Sequence, residues 1–393
     1  MRILITAIQL TGIGGIESSL VNLLSNISDK YEIDLCVVGN YISKKTNIPA
    51  NVRIVKGSKF MEYVCADYKV RKKDFKLFEK PFVIASKMLR HKIGMKRIVE
   101  IAFRNFKIPG EYDVAISFVN DTHRFNSYMG GAEYVVLNCV KAKQKVAWIH
   151  NDANRLGFTY ENSYGNYSKF DKLVNVSYAC KNIFDSKFPE FKGKSFVVYN
   201  MFNDKKISEL AKEASPYENN EKFKIITVAR LDNEQKRIDK AMDCCNMLKE
   251  SGYSNFEWHI AGDGPDKEML LNMAEERGIS DVLIFDGYQS NPYKFIKNAD
   301  VLVMTSDYEA YSMVLTEALS LCTPIICTNY NSAAEIVKDG VNGYLAGLTA
   351  TDIFEKLKKV VDNPEILSDF RANIKKQGVS NETVVSQLKE LIC

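Results

Sequence analysis

The sequence is poor in several residue types and patterns, and each scarcity removes a class of protein. Its 393 residues include only 9 prolines and 21 glycines, whereas 46% are hydrophobic and 26% charged, which excludes a disordered or collagen-like chain. No stretch approaches the roughly 18 consecutive apolar residues of a membrane-spanning helix. The first residues, MRILITAIQL, lack the basic region and the cleavage site of a secretory signal. We therefore expect a globular protein in the cytoplasm.

Metal-binding and disulfide patterns are also missing. The 9 cysteines form no C-x-x-C pair and their number is odd, which argues against a disulfide framework and fits a reducing compartment. Cys36 and Cys327 lie within apolar runs, where a free cysteine packs as a small hydrophobe. The sequence has only 4 histidines, no Asp-x-Asp motif and no cluster of His and Cys ligands. Neither a metal nor another cofactor is expected, and the net charge of +4 gives no reason to expect a nucleic-acid partner.

Acidic residues are scarce between residues 69 and 107. This segment contains 13 Lys or Arg against 3 acidic residues, a local net charge of +10. The apolar residues between these charges can form a helical stripe: Phe75, Phe78, Phe82, Ile84, Met88, Leu89, Ile93, Ile98 and Phe103. One interpretation is a surface that faces an anionic membrane. The other is a solvated basic face above an ordinary buried stripe.

The order of apolar runs predicts two α/β domains, since 393 residues exceed what one core usually supports. Short apolar strands alternate with helical patterns in both halves, which is typical of parallel sheets. The pattern pauses in the polar stretch 203–222, where we place the domain boundary. In such doubly wound sheets, ligands bind beyond the carboxyl ends of the strands.

In the second half, acids and cations follow predicted strands. Glu309 lies in the loop after DVLVMT, and Glu317 lies about two turns into the next helix. Arg230 follows FKIITVA, and Lys236 stands just before a helix, where two cations and a helix N-terminus suit a diphosphate. Each residue alone would be ordinary surface, but the series suits a nucleotide sugar. Gly264, in the turn AGDGP, fits either close approach of a ligand or simply a tight turn.

In the first half, the stretch TGIGGIESS runs from a strand into a helix and contains Gly14 and Gly15. Glu17 stands where a dinucleotide-binding fingerprint has its third glycine, which argues against a nicotinamide dehydrogenase. His150 follows the strand KVAWI, and a lone histidine of this kind is either structural or part of a site.

The segment TSDYEAYSMVLTEALS resembles the E-x7-E signature of retaining glycosyltransferases of the glycosyl transferases group 1 (glycogen synthase-like) family. The resemblance covers nearly the whole chain and is strongest over residues 223–345. It implies the GT-B architecture, in which two doubly wound Rossmann-like domains face each other across a cleft. Residues 1–200 would bind the acceptor, residues 201–380 the donor, and a helix at 381–393 could cross back to the first domain. Ala310 departs from the glycine that usually follows the first glutamate.

The resemblance also implies roles for residues that match the family's motifs. Glu309 would contact the hydroxyls of the donor sugar, Arg230 and Lys236 the leaving pyrophosphate, and His150 the transferred group. These four are the expected catalytic residues. The other expected donor-binding residues are Glu317 at the ribose, Gly14, Gly15, Gly264, Tyr288, and the backbone N–H groups of Tyr311, Ser312, Met313 and Val314. Asp152 and Arg155, close after His150, are candidates for acceptor binding.

The expected activity is the retaining, metal-independent transfer of a hexose or N-acetylhexosamine from a nucleotide-diphosphate sugar, and the expected donor is a UDP-sugar. The acceptor would be a surface glycan such as a polysaccharide, a lipid-linked oligosaccharide or a teichoic-acid-like polymer. If the basic segment faces a membrane, the protein would be peripheral at the inner face of the cell membrane. Two further hypotheses remain: an enzyme of the same architecture with another reaction, such as an epimerase or phosphorylase, and a non-catalytic binding partner.

Overall fold

A computed structural model describes residues 1–12, 14–65, 75–121, 130–155 and 165–392. The chain divides into two compact units. The first unit comprises Met1–Met201 and Glu382–Cys393, and the second comprises Phe202–Asn381. Each unit is built on its own parallel sheet.

The first unit contains a seven-stranded sheet of order β3-β2-β1-β4-β5-β6-β7 in which every pair is parallel. Its strands are β1 Arg2–Ala7, β2 Glu32–Val37, β3 Arg53–Lys56, β4 Glu111–Ser117, β5 Lys141–Ile149, β6 Lys172–Asn175 and β7 Ser195–Val197. The central strands are apolar on both faces because helices cover both sides of the sheet. The strand order reverses between β1 and β4, which makes the loop after β1 a favoured position for a ligand.

Helices of the first unit surround this sheet. Their bounds are Gly15–Ile27, Lys59–Cys65, Lys80–Ile93, Met95–Phe103, Ala132–Asn138, Tyr178–Lys187 and Glu382–Ile392, with a 3-10 helix at Pro189–Lys194. The helix Glu382–Ile392 comes from the C-terminal end of the chain. The backbone N–H of Tyr199 donates to Gln387 Oε1 at 3.1 Å, and Leu388 and Leu391 are buried. This last helix therefore packs as part of the first unit.

The second unit contains a six-stranded sheet of order β10-β9-β8-β11-β12-β13, again parallel throughout. Its strands are β8 Phe223–Val228, β9 Phe256–Ala261, β10 Leu283–Gly287, β11 Val301–Met304, β12 Ile325–Thr328 and β13 Gly343–Ala346. The order reverses between β8 and β11. The loops that follow these two strands are those that carry Arg230, Lys236 and Glu309.

Apolar clusters on both faces of this sheet form the core of the second unit. Its helices are Asp204–Leu210, Asn233–Lys236, Ile238–Glu250, Lys267–Glu276, Tyr293–Asn298, Met313–Ser320, Ala333–Ile336, Ala350–Asp362 and Glu365–Gln377. The predicted α/β class with two doubly wound, Rossmann-like sheets is confirmed.

The basic segment does not form the single apolar stripe that its sequence suggests. Residues 69–74 lie outside the described residues. Of the others, Phe75, Ile98 and Phe103 are buried, whereas Phe82 and Met88 are 60% and 68% exposed. The apolar residues thus divide between a buried set and a solvent-facing set, because the helix Lys80–Ile93 buries only Val83 and Ser86.

Candidate functional site

The candidate site of the second unit is built where the loop after β8 meets the loop after β11. Thr305 Oγ1 donates to the carbonyl of Lys236 at 2.7 Å, and the backbone N–H of Asp307 donates to the carbonyl of Gln235 at 3.0 Å. Two loops that are some 70 residues apart in sequence are therefore joined by direct hydrogen bonds. Their contact lies at the reversal point of the sheet, which is the favoured ligand position in this class of fold.

Lys236 and Glu309 form the centre of the site as an ion pair between Nζ and Oε1. Their side chains are only 17% and 12% exposed, so the pair is shielded from solvent but can be reached. Ser306 Oγ donates to Glu309 Oε1 at 3.0 Å, and Gln235 Nε2 approaches Oε2 at 3.4 Å. Ser332 Oγ holds the main chain by donating to the Glu309 carbonyl at 3.1 Å. A carboxylate fixed by so many donors is suited to accept hydrogen bonds from hydroxyl groups of a ligand.

A second ion-pair network also connects the loop after β11 to residues that follow Lys236. Arg237 Nη1 donates to Asp307 Oδ2 at 2.7 Å, and Lys240 Nζ pairs with Asp307 Oδ1. Despite the cost of burial, the hydrogen bonds from Lys240 and Arg237 lower the pKa of Asp307, which stays ionised. Arg237 also pairs with Asp239 and adopts a left-handed backbone conformation with φ of 51°.

The sequence interpretation did not identify Asp307, Arg237 or Gln235 as site residues. Asp307 is two residues from Glu309 and Arg237 follows Lys236, but nothing in their spacing indicates a contact across the sheet. The one available signal is a positive charge on Arg237 at a strand-to-helix junction, which is common on protein surfaces. The ion pair between Arg237 and Asp307 can be predicted only when β8 and β11 are known to be neighbouring strands.

Arg230 stands apart from this pair. Its guanidinium is 66% exposed and is paired with Asp232. Within the described residues, the Arg230 guanidinium forms no ion pair or side-chain hydrogen bond with Lys236 or Glu309. A weakly paired, exposed guanidinium can move to a phosphate group without breaking any buried interaction.

The helix Met313–Ser320 begins beside Glu309 and directs its N-terminus toward the end of the sheet. Ser312 is its N-cap, and Ser312 Oγ accepts from the backbone N–H of Leu315 at 3.4 Å. The first turn contains no acidic side chain. Its backbone N–H groups at Met313 and Val314 precede the first intrahelical bonds and are available to an anion. Tyr311 lies just before the cap and is partly buried.

Glu317 lies one turn into the same helix and is ionisable near neutral pH. Burial raises the pKa of its carboxyl to about 7, although the hydroxyl of Tyr293 donates to Oε1 at 3.3 Å and acts in the opposite direction. A carboxylate in this environment gains from any further hydrogen-bond donor, since donors favour its charged form. The Glu317 carboxylate is therefore suited to accept hydrogen bonds from ligand hydroxyl groups.

Gly264 has a structural reason to be glycine that is independent of any ligand. A Cβ atom at this position would lie 2.3 Å from the carbonyl oxygen of Leu231, which belongs to the loop after β8. A Cβ at Gly262 would likewise lie 1.8 Å from the Ala229 oxygen. The two loops approach so closely that only glycines fit. Tyr288, which follows β10, is 47% exposed.

In the first unit, Gly14 and Gly15 lie at the start of the first helix. Gly14 has φ of 115°, a conformation that favours glycine, and open space surrounds its Cβ position. Glu17 closes the loop, because it accepts from the backbone N–H of Gly12 at 2.7 Å and from Thr11 Oγ1 at 2.9 Å. At the position where a dinucleotide-binding loop has glycine, the Glu17 side chain thus stabilises the loop by accepting these two hydrogen bonds.

His150 directly follows β5 and is 4% exposed. Its ring packs against Phe118, with ring centroids 4.7 Å apart, and near Trp148. Burial lowers the pKa of His150 to about 3, and the opposing effect of the Phe118 backbone is smaller. Neither ring nitrogen makes a hydrogen bond of normal geometry within the described residues. The imidazole is therefore neutral and can offer one donor and one acceptor to a ligand.

Asp152 and Arg155 belong to the turn after His150. Asp152 Oδ1 accepts from the backbone N–H of Asn154 at 2.8 Å, and its carbonyl accepts from the N–H of Arg155 at 2.9 Å. These bonds explain the turn itself. Their role in acceptor binding stays a prediction.

Among the helices that the structure describes, none is long and apolar enough to cross a bilayer. Within the same parts of the chain, no group of three or more His, Cys, Asp or Glu residues could hold a metal ion. Metal independence stays a prediction.

A family model matches most of the second unit. Residues 209–377 match the family model described as Glycosyl transferases group 1. A lipopolysaccharide 1,6-galactosyltransferase of Salmonella typhimurium is 34% identical over 166 residues, which cover 40% of this chain and 43% of that protein. A poly(ribitol-phosphate) alpha-N-acetylglucosaminyltransferase of Staphylococcus aureus is 22% identical over 157 residues, which cover 39% and 32%. The matched part thus spans less than half the length of these relatives.

Solved structures extend the likeness to both units. A mutant of S. aureus TarM, in complex with fondaparinux, alpha-GlcNAc-glycerol and UDP, has a TM-score of 0.69 at 14% identity. The match covers 100% of this chain and 99% of that one. At this identity the likeness establishes the fold, and it confirms the GT-B class that the sequence predicts.

Proposed function

We propose that this chain, whose residues 209–377 match the model of the glycosyl transferases group 1 family, transfers a hexose or N-acetylhexosamine from a UDP-sugar to a cell-envelope glycan. The observation that carries the proposal is the shielded Lys236–Glu309 pair at the reversal point of the second sheet. It places a cation for phosphate and an acceptor for sugar hydroxyls side by side, beside a helix N-terminus. A nucleoside-diphosphate sugar presents these two groups next to each other.

The donor would lie along the end of the second sheet. Glu309 accepts hydrogen bonds from the sugar, and Lys236 and Arg230 neutralise the diphosphate. The N–H groups at the start of the helix Met313–Ser320 add the positive end of the helix dipole. Glu317 accepts from the ribose hydroxyls. UDP is the proposed nucleotide because the TarM structure, which shares this fold, contains UDP.

Transfer with retention requires the acceptor to attack the face from which UDP leaves. Retaining hydrolases achieve this with two carboxylates about 5 Å apart, one of which forms a covalent intermediate. The proposed site has Glu309 held in an ion pair instead, so we propose front-face attack in which a leaving phosphate oxygen takes the acceptor proton. Lys236 and Arg230 stabilise the charge that develops on UDP, a contribution of several kcal/mol in comparable sites. His150, being neutral, would orient the transferred sugar and not act as a cation.

The chain is proposed to need no metal for this step, because the two cations occupy the role that a metal takes elsewhere. Prolonged treatment with EDTA followed by gel filtration is expected to leave the transfer rate unchanged. Recovery of activity only after addition of Mg²⁺ or Mn²⁺ would contradict this part of the proposal.

The proposed acceptor is a glycan of the cell envelope, carried on a lipid or on a polymer. Support comes from the two relatives named above, one of which acts on lipopolysaccharide and the other on poly(ribitol phosphate), as their names state. We place the reaction in the cytoplasm, at the inner face of the membrane. Gly14, Gly15, Asp152 and Arg155 of the first unit remain proposed ligand contacts.

A thermal-shift screen with UDP, GDP, ADP and their sugars tests the donor. A ligand at a hundredfold its Kd stabilises a protein by about 2.7 kcal/mol, so UDP and one UDP-sugar should raise Tm clearly. Lys236→Ala and Glu309→Ala should abolish most of this shift and of donor hydrolysis. Lys249→Ala is the matched control, because Lys249 lies at the opposite end of the helix Ile238–Glu250 from Lys236 and forms a surface ion pair with Asp281 at 2.8 Å.

Several outcomes would overturn the proposal. Donor hydrolysis that survives both site substitutions unchanged would refute the site. A nucleotide-dependent shift with no transfer to any glycan acceptor would indicate a binding protein, and a converted sugar nucleotide without acceptor would indicate an epimerase. Product analysis with and without acceptor, by mass spectrometry, separates these cases, and the anomeric configuration of the product decides retention.

A further inference from the structure

The helix Lys80–Ile93 of the first unit presents its more apolar side to solvent. Its buried positions are Val83 and Ser86, and Ser86 Oγ donates to the carbonyl of Tyr63 at 3.0 Å. The opposite side carries Ile84 and Met88, which are 48% and 68% exposed. An ordinary surface helix has the reverse arrangement, with its apolar stripe toward the core. Packing among the residues that the structure describes therefore does not explain the outer face.

Exposed apolar side chains continue into the turn before this helix. Leu77 and Phe78 are 81% and 66% exposed, and Phe82 is 60% exposed although its ring stacks at 6.1 Å on Tyr63. Of the 14 large apolar side chains that are exposed in the described residues, six lie between residues 77 and 89. Single exposed apolar residues are normal on any protein, but such a concentration marks an interaction surface. We call Leu77, Phe78, Phe82, Ile84, Met88 and Leu89 the outer apolar surface.

The surroundings of the outer apolar surface are strongly basic. Residues 75–107 contain nine Lys or Arg and two acidic residues. One of the two acids, Glu79, is paired with Lys59 at 3.0 Å, so it offers little charge to a partner. Lys80, Lys87 and Lys92 lie on the same helix as Ile84 and Met88. Long lysine side chains can keep their charged ends at the level of lipid head groups while neighbouring apolar side chains enter the bilayer.

We propose that the outer apolar surface inserts into the interface of an anionic bilayer and that the lysines around it bind the lipid phosphates. Charge decides between the candidate occupants. A second copy of the chain would bring one strongly positive surface against another, which costs free energy. A nucleic acid would satisfy the lysines but leave the apolar side chains in water. An anionic bilayer satisfies both, because basic residues near such a surface are attracted to it while the apolar side chains leave water.

This inference goes beyond the proposed reaction, because it depends on the first unit and not on the donor-binding loops. It specifies where the chain would contact the membrane that holds a lipid-linked acceptor. The exposure of Phe78 and Met88 argues against the other interpretation of the basic segment, in which the apolar stripe is buried below solvated charges.

Vesicle flotation with the full chain tests the proposal. Binding is expected to vesicles of phosphatidylcholine with about one third phosphatidylglycerol and to fall steeply in pure phosphatidylcholine or at high salt. The double substitution Leu77→Ser with Phe78→Ser, and the single substitution Met88→Ser, should each weaken binding about tenfold or more. The matched control is Met269→Ser with Leu271→Ser, a pair that is 44% and 40% exposed on a helix of the second unit.

A fluorescent reporter distinguishes insertion from mere electrostatic attachment. The two native tryptophans, Trp148 and Trp258, are buried, so a Phe78→Trp variant adds one exposed indole. Its emission should shift to the blue with anionic vesicles and be quenched by brominated lipid. Binding that is equal in neutral and anionic vesicles, or a Leu77/Phe78 variant that binds as well as the wild type, would overturn the proposal. Self-association that the same variant abolishes, without vesicle binding, would assign the surface to a second copy.

The readouts separate this inference from the proposed function. The Leu77/Phe78 variant should retain the UDP-induced rise in Tm, because its substitutions lie outside the second unit. Loss of vesicle binding with normal UDP binding supports the membrane surface. Normal vesicle binding by a chain that binds no nucleotide would refute the proposed donor site and leave the membrane surface supported.

Discussion

At the scale of single residues, Glu317 links the site to the stability of the fold. In an unfolded chain a glutamate has a pKa of about 4.3, whereas burial raises the pKa of Glu317 to about 7 in the folded protein. Between these two pH values the folded state binds more protons than the unfolded state. The free energy of unfolding therefore decreases as pH rises through this window, and above it the full cost of the buried charge is present.

Replacement of Glu317 by Gln should remove this cost. We expect Glu317→Gln to be more stable than the wild type at pH 8 by on the order of 2 kcal/mol, and equally stable below about pH 4. Urea unfolding at several pH values measures the difference, with the exposed Glu276→Gln as control. The same variant should bind UDP more weakly, since an amide is a poorer acceptor for ribose hydroxyls. A stability difference that does not change with pH would contradict the assignment.

Gly264 offers a second residue-scale prediction, because sequence and structure suggest different reasons for it. A methyl group at Gly264 would collide with the backbone oxygen of Leu231 at 2.3 Å, and a backbone atom cannot move aside as a flexible side chain can. We expect Gly264→Ala to destabilise the second unit by about 2 kcal/mol or more. Gly193→Ala, where nothing lies within 4 Å of the new Cβ, should stay within about 0.5 kcal/mol of the wild type. Equal effects in thermal unfolding would show that the close approach is unimportant.

At the scale of elements, the site depends on the contact between the loops after β8 and β11. Arg237 holds this contact while in a left-handed conformation that is unfavourable for a side chain. Glycine adopts φ of 51° without strain, so Arg237→Gly should keep the fold and its Tm. It removes the bridge to Asp307, however, and should let the loop with Glu309 move relative to Lys236.

The expected result for Arg237→Gly is therefore a selective loss. Hydrogen exchange at the Asp307 amide, which donates to the Gln235 carbonyl, should become faster. The KM for the donor should rise about five- to tenfold, a loss of about 1 to 1.4 kcal/mol in binding, while Tm changes little. Arg237→Lys should recover part of the difference, because it restores a cation opposite Asp307. Unchanged exchange at Asp307 would show that the bridge does not position the loop.

The elements also show which features a sequence can predict. The alternation of short strands with helices in both halves is predicted and observed, since an apolar period and its flanking turns are local properties. The positions of Arg230, Lys236 and Glu309 after strand ends, and of Glu317 in the helix that follows, can be read from the order of elements along the chain. Their partners cannot, because the bonds of Asp307 to Arg237 and Lys240 depend on which strands are neighbours. The basic segment is the other failure: a helical period reveals two apolar sides but not which one is buried.

At the scale of the whole molecule, the chain returns to the first unit after completing the second. The helix Glu382–Ile392 buries Val384, Leu388 and Leu391, and its Gln387 side chain accepts from the backbone of Tyr199. A segment from one end of the sequence thus completes the core of a unit built from the other end. The first unit should consequently depend on this helix, whereas the second unit, Phe202–Asn381, should not.

Substitution within this helix separates the two units experimentally. Leu388 is 3% exposed, and a buried Leu→Ala change typically costs 2–5 kcal/mol, so Leu388→Ala should unfold the first unit at a lower temperature. The exposed Lys389→Ala is the neighbouring control. Limited proteolysis with mass spectrometry should show early cleavage within Met1–Met201 in the first variant alone, while UDP still protects the second unit. Simultaneous loss of both units in Leu388→Ala would mean that the chain unfolds as a single cooperative body, and nucleotide binding would then stabilise the first unit as much as the second.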